Sequence, residues 1–315
     1  MNFADPKNDV AFKKIFGDEN KKEILISFLN NILDFVGTDK EIVDISIVDP
    51  YQAPKLADLK NTFLDIKAVD KRGIHYIVEM QVIHAEAFEK KVLYYVSKAY
   101  VHQLERGDDY PALNQVIFLG FLNFKLFKEN KNYATRHLIL DEETNEHLFK
   151  DFDLNFIELP KFKKSLEELA NVKDKWIYFV KNAGSMSLIP GEMKEPKELR
   201  DAFEIANQHT WTQQELDIYE AKGVFITTEK QVRLQAHKEG HEEGHEEGHK
   251  EGLIDGEKIG IEKGIEIGIE KGIEKGMEKG KELEKLEIAK AMLAEGLPIE
   301  IIIKTTGLSK EKIQG

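Results

Sequence analysis

The fold is indicated by the sequence Leu64-Asp65-Ile66-Lys67, followed by Lys71-Arg72-Gly73 and then by Ile77-Val78-Glu79-Met80-Gln81. Residues Phe63–Val69 and Ile74–Ile83 are rich in Val, Ile, Phe and Tyr, which strands favour, and a glycine lies in the turn between them. The sequence therefore predicts a β-hairpin that carries acidic side chains.

The two acids of this hairpin are predicted to lie opposite each other. Side chains alternate along a strand, so Glu79 and Gln81 share a face with Ile77, and Asp65 shares a face with Lys67. Residues equidistant from the turn pair with each other, which places Asp65 opposite Glu79. Neighbouring carboxylates repel each other unless a cation lies between them, and Mg²⁺, or alternatively Mn²⁺, suits such an oxygen-rich site.

An Asp followed by a strand with Glu-x-Gln resembles the core of the PD-(D/E)xK nuclease superfamily, in the variant that ends in Gln rather than Lys. The first half of the chain is similar, in the right order, to the Rpn family of recombination-promoting nucleases and transposases. The similar segments are Asp9–Phe16, Lys91–Tyr100, Tyr110–Leu113 and Val116–Leu119. The resemblance implies an α/β, restriction-endonuclease-like fold, in which a mixed sheet is flanked by helices.

The resemblance also implies roles for the acidic residues. Asp65 and Glu79 correspond to the metal-binding carboxylates, and Asp9 on the first helix supports the metal or its water shell. Gln81 stands where most of the superfamily has a catalytic lysine. Two alternatives remain open: the hairpin acids are exposed residues of an edge hairpin, and Asp9 is simply an acid in a first helical turn, where the helix dipole favours it.

The residue that replaces the missing lysine is predicted from position. Gln81 carries no charge, so it either orients the water or needs a neighbouring cation. Lys67 is the candidate, because it lies two residues from Asp65 on the same face. Lys91 occupies a position where the family usually has arginine, and together with Lys13 it is expected to contact the substrate phosphate.

Composition limits the class of protein. The chain has 315 residues and no cysteine, which excludes disulfides and thiolate metal sites and suits a reducing cytoplasm. No signal peptide and no apolar run that could span a membrane is apparent. The net charge of −13 opposes tight binding to phosphates. DNA is still the expected partner, bound weakly and in a salt-sensitive way, if lysines such as Lys13, Lys14, Lys67, Lys90, Lys91 and Lys98 converge on one face.

Four segments are predicted from the pattern along the chain. They are a nuclease core (1–160), a helical subdomain (161–232), a glycine-repeat rod or linker (233–282) and a C-terminal helical module (283–315). In the first, helices are expected from Asp5-Pro6 to Phe16, at Lys21–Phe35 and at Ala85–Gln103, and strands at Val43–Val48, Gln115–Leu122, Thr135–Asp141 and Asn155–Glu158.

Glycine recurs at every fourth position from Gly240 to Gly280. The residue after each glycine is at first His and later mostly Ile, and the other positions are mostly Glu and Lys. Each glycine destabilises a helix by about 1 kcal/mol relative to alanine. Because close packing against a second helix would offset this cost, we expect a coiled-coil-like helix that self-associates through residues 240–280. A flexible linker is the alternative. His237, His241, His245 and His249 are interpreted as polar members of the packing column rather than as metal ligands.

The last segment predicts short helices that end at Gly296 and Gly307, with Pro298 and Ser309 at helix starts. It is either a helix-turn-helix-like DNA module or a capping or protein-binding bundle. The leading functional hypothesis is a cytoplasmic, Mg²⁺-dependent DNA endonuclease linked to recombination or mobile elements. The alternatives are an inactive assembly protein and a DNA-binding regulator.

Overall fold

The computed structural model describes residues 2–49, 51–52 and 62–315. Six strands of this part form one sheet in the order β1-β4-β5-β6-β8-β7, and β2 pairs with β3. The strands are β1 (Ile45–Val48), β2 (Tyr51–Gln52), β3 (Thr62–Phe63), β4 (Ile66–Asp70), β5 (His75–Gln81), β6 (Val116–Leu122), β7 (Ala134–Leu138) and β8 (Phe152–Glu158).

The sheet is mixed, as predicted. Strands β4 and β5 form the expected antiparallel hairpin, with Ile66 paired to Val78 and Lys67 to Ile77. Strand β5 then runs parallel to β6, and β6 runs parallel to β8. Gly73 has a φ of 80° in the hairpin turn, and a residue with a Cβ would be strained in this left-handed conformation. The parallel strands therefore end together at one edge of the sheet, beside Gln81.

Helices cover both faces of the sheet. On one face, Trp176 packs between Phe16 and Phe28, at ring-centroid distances of 5.8 and 5.5 Å. Full burial of each such side chain contributes roughly 1.5–3 kcal/mol. The α-helices of the described residues are α1 (Asp9–Phe16), α2 (Lys22–Ile32), α3 (Phe88–Val101), α4 (Val172–Asn182), α5 (Lys197–Ala206), α6 (Gln213–Ala294), α7 (Ile299–Thr306) and α8 (Lys310–Gln314).

Helix α3 lies on the opposite face. Its buried residues Val92 and Val96 belong to a second apolar cluster with Ile77 and Phe118 of the sheet. The strands β5 and β6 are thus buried on both sides, and α3 is positioned next to the face of β5 that carries Glu79.

Two predicted boundaries are wrong for identifiable reasons. The first hairpin strand does not run on from Phe63, because β3 ends there and the chain bends at Asp65 before β4 begins. The carboxylate of Asp65 accepts the N–H of Met80, where a continuous strand would offer a backbone carbonyl. The first helix begins at Asp9 rather than at Asp5-Pro6, because the side chain of Asn8 accepts the N–H of Val10 and caps it.

Residues after 160 add helices to the same hydrophobic core. Trp176, Phe179 and Phe203 are fully buried in the cluster that also contains Phe12 and Phe28. The contacts within the chain define one unit, Met1–Val232, and a second, Arg233–Gly315. In the first unit the helical segment therefore shares its core with the sheet.

The second unit contains the glycine repeat, which is helical throughout. Every residue from 240 to 280 is exposed. A Cβ added at any glycine of the repeat would meet no atom of the described chain within 4 Å, apart from the nearby backbone of the helix itself. The end of α6 packs with α7 and α8 around Ala289, Ile302, Leu308 and Ile313. As predicted, Gly307 ends a helix in the left-handed conformation, and the side chain of Ser309 caps the last one.

No helix in the described residues is both long enough and apolar enough to cross a membrane.

Candidate active site

Asp65 and Glu79 meet at the open end of the hairpin, away from the turn. The pairing of Ile66 with Val78, continued by one residue, places them side by side. The Asp65 carboxylate accepts a 2.8 Å hydrogen bond from the backbone N–H of Met80. The Asp65 and Glu79 side chains are only 12% and 6% exposed. The hairpin therefore holds two carboxylates together in a largely buried position.

This arrangement opposes ionisation of both groups. Burial, together with the charge of Asp65, raises the pKa of Glu79 to about 8, and the ammonium of Lys91 partly offsets this. Burial also raises the pKa of Asp65, while the N–H of Met80 and the charge of Lys13 act in the opposite direction. One oxygen of Glu79, Oε1, is buried and accepts no hydrogen bond. The pair therefore has acceptor capacity that the protein leaves unused.

Lys91 of α3 is one of two lysines that contact these acids. Its Nζ donates a 3.0 Å hydrogen bond to Oε1 of Gln81 and lies 3.8 Å from Oε2 of Glu79. The Nζ also lies 5.1 Å from the centroid of the Tyr95 ring. The amide of Gln81 donates in turn to the carbonyl of Ile83 at 2.9 Å. Because both ends of the amide are bonded, Gln81 holds the ammonium of Lys91 next to Glu79.

Helix α1 contributes the other lysine and a third acid. The Nζ of Lys13 lies 3.4 Å from Oδ1 of Asp65. Asp9, one helical turn earlier, is near enough that its charge raises the pKa of Asp65. The Oδ2 of Asp9 lies 3.0 Å from Nζ of Lys222 on α6. Asp9 thus belongs to the surroundings of the acidic pair, and a lysine holds its carboxylate.

The structure places Lys67 in other surroundings than the sequence suggested. Lys67 lies on β4, after the bend at Asp65 and nearer the hairpin turn. Burial lowers the pKa of Lys67, which the charge of Asp49 opposes, and burial together with the charge of Lys67 lowers the pKa of His75. Among the described side chains, the ammonium groups that contact the two acids are those of Lys13 and Lys91.

The other lysines expected to converge have different partners. Lys14 pairs with Glu215 and lies over the ring of Trp211, and Lys98 is buried beside the ring of Tyr94. The positive charge near the acids is therefore concentrated on Lys13 and Lys91.

Two neighbours of the site were not predicted. Burial and the charges of Glu79 and Asp65 raise the pKa of Tyr95 to about 12, so its phenol lies within the field of the pair. The spacing of four residues from Lys91 on one helix was an available signal for Tyr95. Lys222 carried no such signal, because it lies far away in the sequence, on α6.

The donor set suits a hard divalent cation with only a few protein ligands. No group of three or more His, Cys, Asp or Glu side chains that could hold a metal occurs in the described part of the chain, and this includes the histidines of α6. Mg²⁺ commonly binds through one or two carboxylates and keeps several waters. The unpaired oxygen of Glu79 beside Asp65 is consistent with such an ion.

Comparison with known families gives two matches. A family model described as PD-(D/E)XK nuclease family transposase matches residues 6–232. A second, described as the C-terminal HTH domain of the Rpn/YhgA-like nuclease family, matches residues 282–315. No curated protein and no solved structure matches the chain.

Proposed function

Because the chain belongs to the family of PD-(D/E)XK nuclease transposases, we propose that it is a Mg²⁺-dependent DNA endonuclease that acts in recombination or in the transfer of mobile elements. The terminal match agrees with the Rpn resemblance that the sequence indicated. Hydrolysis of DNA phosphodiesters is the reaction, and Mn²⁺ is expected to replace Mg²⁺ in vitro.

One observation carries this proposal more than the others. A buried carboxylate oxygen without a donor costs free energy, and Glu79 Oε1 is such an atom. Its neighbour Asp65 adds a second charge, and the hydrogen bond that the Asp65 backbone N–H donates to the Glu79 carboxylate offsets that charge only in part. A protein gains nothing in stability from this pair, whereas a divalent cation would satisfy both groups.

The residues have separable tasks in this mechanism. Asp65 and Glu79 would hold the divalent ion, which would supply a water of lowered pKa and stabilise negative charge on the phosphate. Asp65 is kept in one orientation by the N–H of Met80. Glu79 approaches from β5 and provides the second carboxylate. Asp9, whose charge acts on Asp65, would accept a hydrogen bond from water bound to such an ion.

Most of the superfamily has a catalytic lysine at the position that Gln81 occupies here, and we propose that Lys91 replaces the function of that lysine. Gln81 fixes its ammonium through the 3.0 Å hydrogen bond, so Lys91 can stabilise charge on the scissile phosphate. Lys13, on the other side of the acids, is 44% exposed and is proposed to contact a neighbouring phosphate. Lys67 is the competing candidate for the catalytic cation.

Plasmid cleavage with Mg²⁺ or Mn²⁺ tests the assignment of the acids. Asp65→Asn and Glu79→Gln should each reduce the rate by roughly 100-fold or more, because each weakens the hold on the metal. Glu89→Gln removes an exposed carboxylate from α3 and serves as the matched control with an unchanged rate. Wild-type rates in Asp65→Asn and Glu79→Gln as well as in Glu89→Gln would refute the site. A wild-type chain that binds Mn²⁺ yet cuts nothing would favour the inactive assembly protein.

The two lysines are distinguished by one further pair of variants. Lys91→Met should reduce cleavage about tenfold or more, while Lys67→Met should leave it within about twofold. A larger loss of cleavage in Lys67→Met than in Lys91→Met would indicate that Lys67 is the catalytic cation.

DNA binding is proposed for residues 282–315 on the basis of the HTH match. With a net charge of −13 on the chain, binding should be weak and should fall steeply with added salt. A chain that ends at Lys281 should bind duplex DNA less tightly than the full chain. Equal affinities and equal salt dependence would favour a capping or protein-binding bundle.

Self-association through residues 240–280 is proposed on the basis of the helix surface. Ile261, Ile265, Ile269 and Ile273 are each 55–59% exposed, next to glycines that leave room for another backbone. Ile265→Lys combined with Ile269→Lys should lower the mass measured by sedimentation. Glu266→Lys with Glu270→Lys, on a charged column, is the control.

A further inference from the structure

The first turns of α6 are joined to α1 by a set of polar contacts close to the acidic pair. The amide of Asn8 donates to the carbonyl of Tyr219 at 3.1 Å, and the backbone N–H of Asp5 donates to the Tyr219 hydroxyl at 2.9 Å. Lys14 pairs with Glu215. The two contacts of Tyr219 fix the start of α1, because they hold its N-cap residue and the chain before it, whereas Lys14 lies in the last turn of α1.

One contact of this set differs from the rest, because it reaches a residue of the site. Lys222 places its Nζ 3.0 Å from Oδ2 of Asp9. Asp9 and Lys13 are four residues apart and so lie on the same side of α1. Lys13 contacts Asp65 from that side, and the charge of Asp9 acts on Asp65 as well. Lys222 therefore contacts a residue whose charge acts on Asp65.

We propose that Lys222 is a positioning residue of the nuclease site: its ammonium orients the Asp9 carboxylate and offsets the charge that Asp9 adds beside Asp65. This inference rests on the proposed function, since it concerns the metal that Asp65 and Glu79 would bind. Lys222 contacts neither of those two residues in the structure, and it acts through Asp9.

Two consequences follow, and they have opposite signs. The ammonium repels a divalent cation bound at the acids, so its removal should strengthen metal binding. The ammonium also restricts Oδ2 of Asp9, whose side chain is 28% exposed, while Oδ1 of Asp9 accepts the backbone N–H of Val10 at 3.0 Å. Its removal should therefore loosen the hydrogen bond that Asp9 would accept from metal-bound water, and slow cleavage. A residue that only stabilised the packing of α6 on α1 would not change these two quantities in opposite directions.

The chain offers a matched control within the same helix contact. Glu215→Gln breaks the ion pair with Lys14 but leaves Asp9 and Lys222 in place. Lys222→Met removes the charge, and with it the cation–π contact to Phe225, but keeps a long apolar side chain that can pack on the same ring. Lys222→Arg retains the charge in a different geometry.

The test measures Mn²⁺ affinity by titration and the cleavage rate at saturating Mn²⁺, both with the full chain. Lys222→Met should bind Mn²⁺ about three- to tenfold more tightly and cleave about tenfold more slowly. Lys222→Arg should have nearly wild-type affinity, and Glu215→Gln should differ from wild type in neither quantity. Thermal unfolding of each variant shows whether the chain is folded.

The outcomes separate this inference from the function on which it rests. If Asp65→Asn and Glu79→Gln lose Mn²⁺ binding while Lys222→Met matches wild type in affinity and rate, the site stands and the role of Lys222 is refuted. If Lys222→Met and Glu215→Gln reduce the rate equally without a change in affinity, Lys222 is only a packing contact. If the wild-type chain binds no Mn²⁺, the proposed function itself fails.

Discussion

The two ends of the β4–β5 hairpin both carry buried acidic side chains, one at the turn and two at the open end, and these differ in their hydrogen bonding. At the turn, Asp70 is 2% exposed but accepts hydrogen bonds from Arg72 Nε at 2.9 Å and from the Tyr76 hydroxyl at 3.1 Å. At the open end, Asp65 has one backbone N–H and a lysine at 3.4 Å, and Glu79 next to it has an oxygen without a donor. The same hairpin thus contains a satisfied acid and an unsatisfied pair.

Other buried acids of the first unit resemble Asp70. Asp153 accepts hydrogen bonds from Arg136, Asp174 pairs with Lys164 at 2.7 Å, and Glu158 pairs with Lys161. Buried carboxylates stabilise a fold only when partners compensate them. The incomplete compensation at Asp65 and Glu79 is thus local to the open end, which is where a bound cation would be needed.

The largest expected effect on stability is at the turn. Asp70→Ala removes the acceptor of Arg72 and of two backbone N–H groups, those of residues 72 and 74. Loss of such a network should lower the free energy of unfolding by about 3 kcal/mol. Urea unfolding of the metal-free chain measures it. A loss below about 1 kcal/mol would mean that the two ends of the hairpin differ less than their contacts suggest.

At the open end, by contrast, removal of an acid is expected to increase the free energy of unfolding. In the folded chain the pKa of Glu79 is raised from 4.5 to about 8, so folding becomes less favourable as pH rises from about 4.5 to 8. Glutamine has no such dependence. Glu79→Gln should therefore stabilise the metal-free chain by about 1–3 kcal/mol above pH 8 and by little near pH 4.5.

Thermal unfolding across this pH range, with and without Mg²⁺, measures the effect. Added Mg²⁺ should stabilise the wild-type chain and not the Glu79→Gln variant. A variant that is less stable than wild type at pH 8 would show that the protein itself compensates Glu79.

The smallest effect concerns the backbone of the turn. Gly73 has a φ of 80°, and a Cβ there would lie 3.0 Å from the amide of Asn114. Gly73→Ala should cost about 1–2 kcal/mol in unfolding free energy. Cleavage should be unchanged, because the turn and the acids lie at opposite ends of the hairpin. A loss of cleavage in a folded Gly73→Ala chain would show that the two ends are coupled.

Local patterns predicted the hairpin and the pairing of its acids, because alternation along a strand and distance from a turn are both short-range properties. They did not predict the bend at Asp65, since there a side chain takes the place of a backbone acceptor. They favoured Lys67, which is close in sequence, over Lys91, which reaches Glu79 from another element. The contact of Lys222 with Asp9 depends on tertiary packing alone, so no local sequence pattern in either segment could predict it.

The four-residue spacing of the glycines on α6 has a geometric consequence. Four residues turn an α-helix through about 400°, so the glycine column advances by about 40° per repeat and circles the helix within roughly nine repeats. Two copies that follow this column must wind around each other with a right-handed sense. Nearly identical repeats would also let the copies slip by steps of about 6 Å. The change in the neighbouring column from His249 to Leu253 and then to isoleucines limits such slippage, because parallel copies in register set histidine beside histidine and isoleucine beside isoleucine.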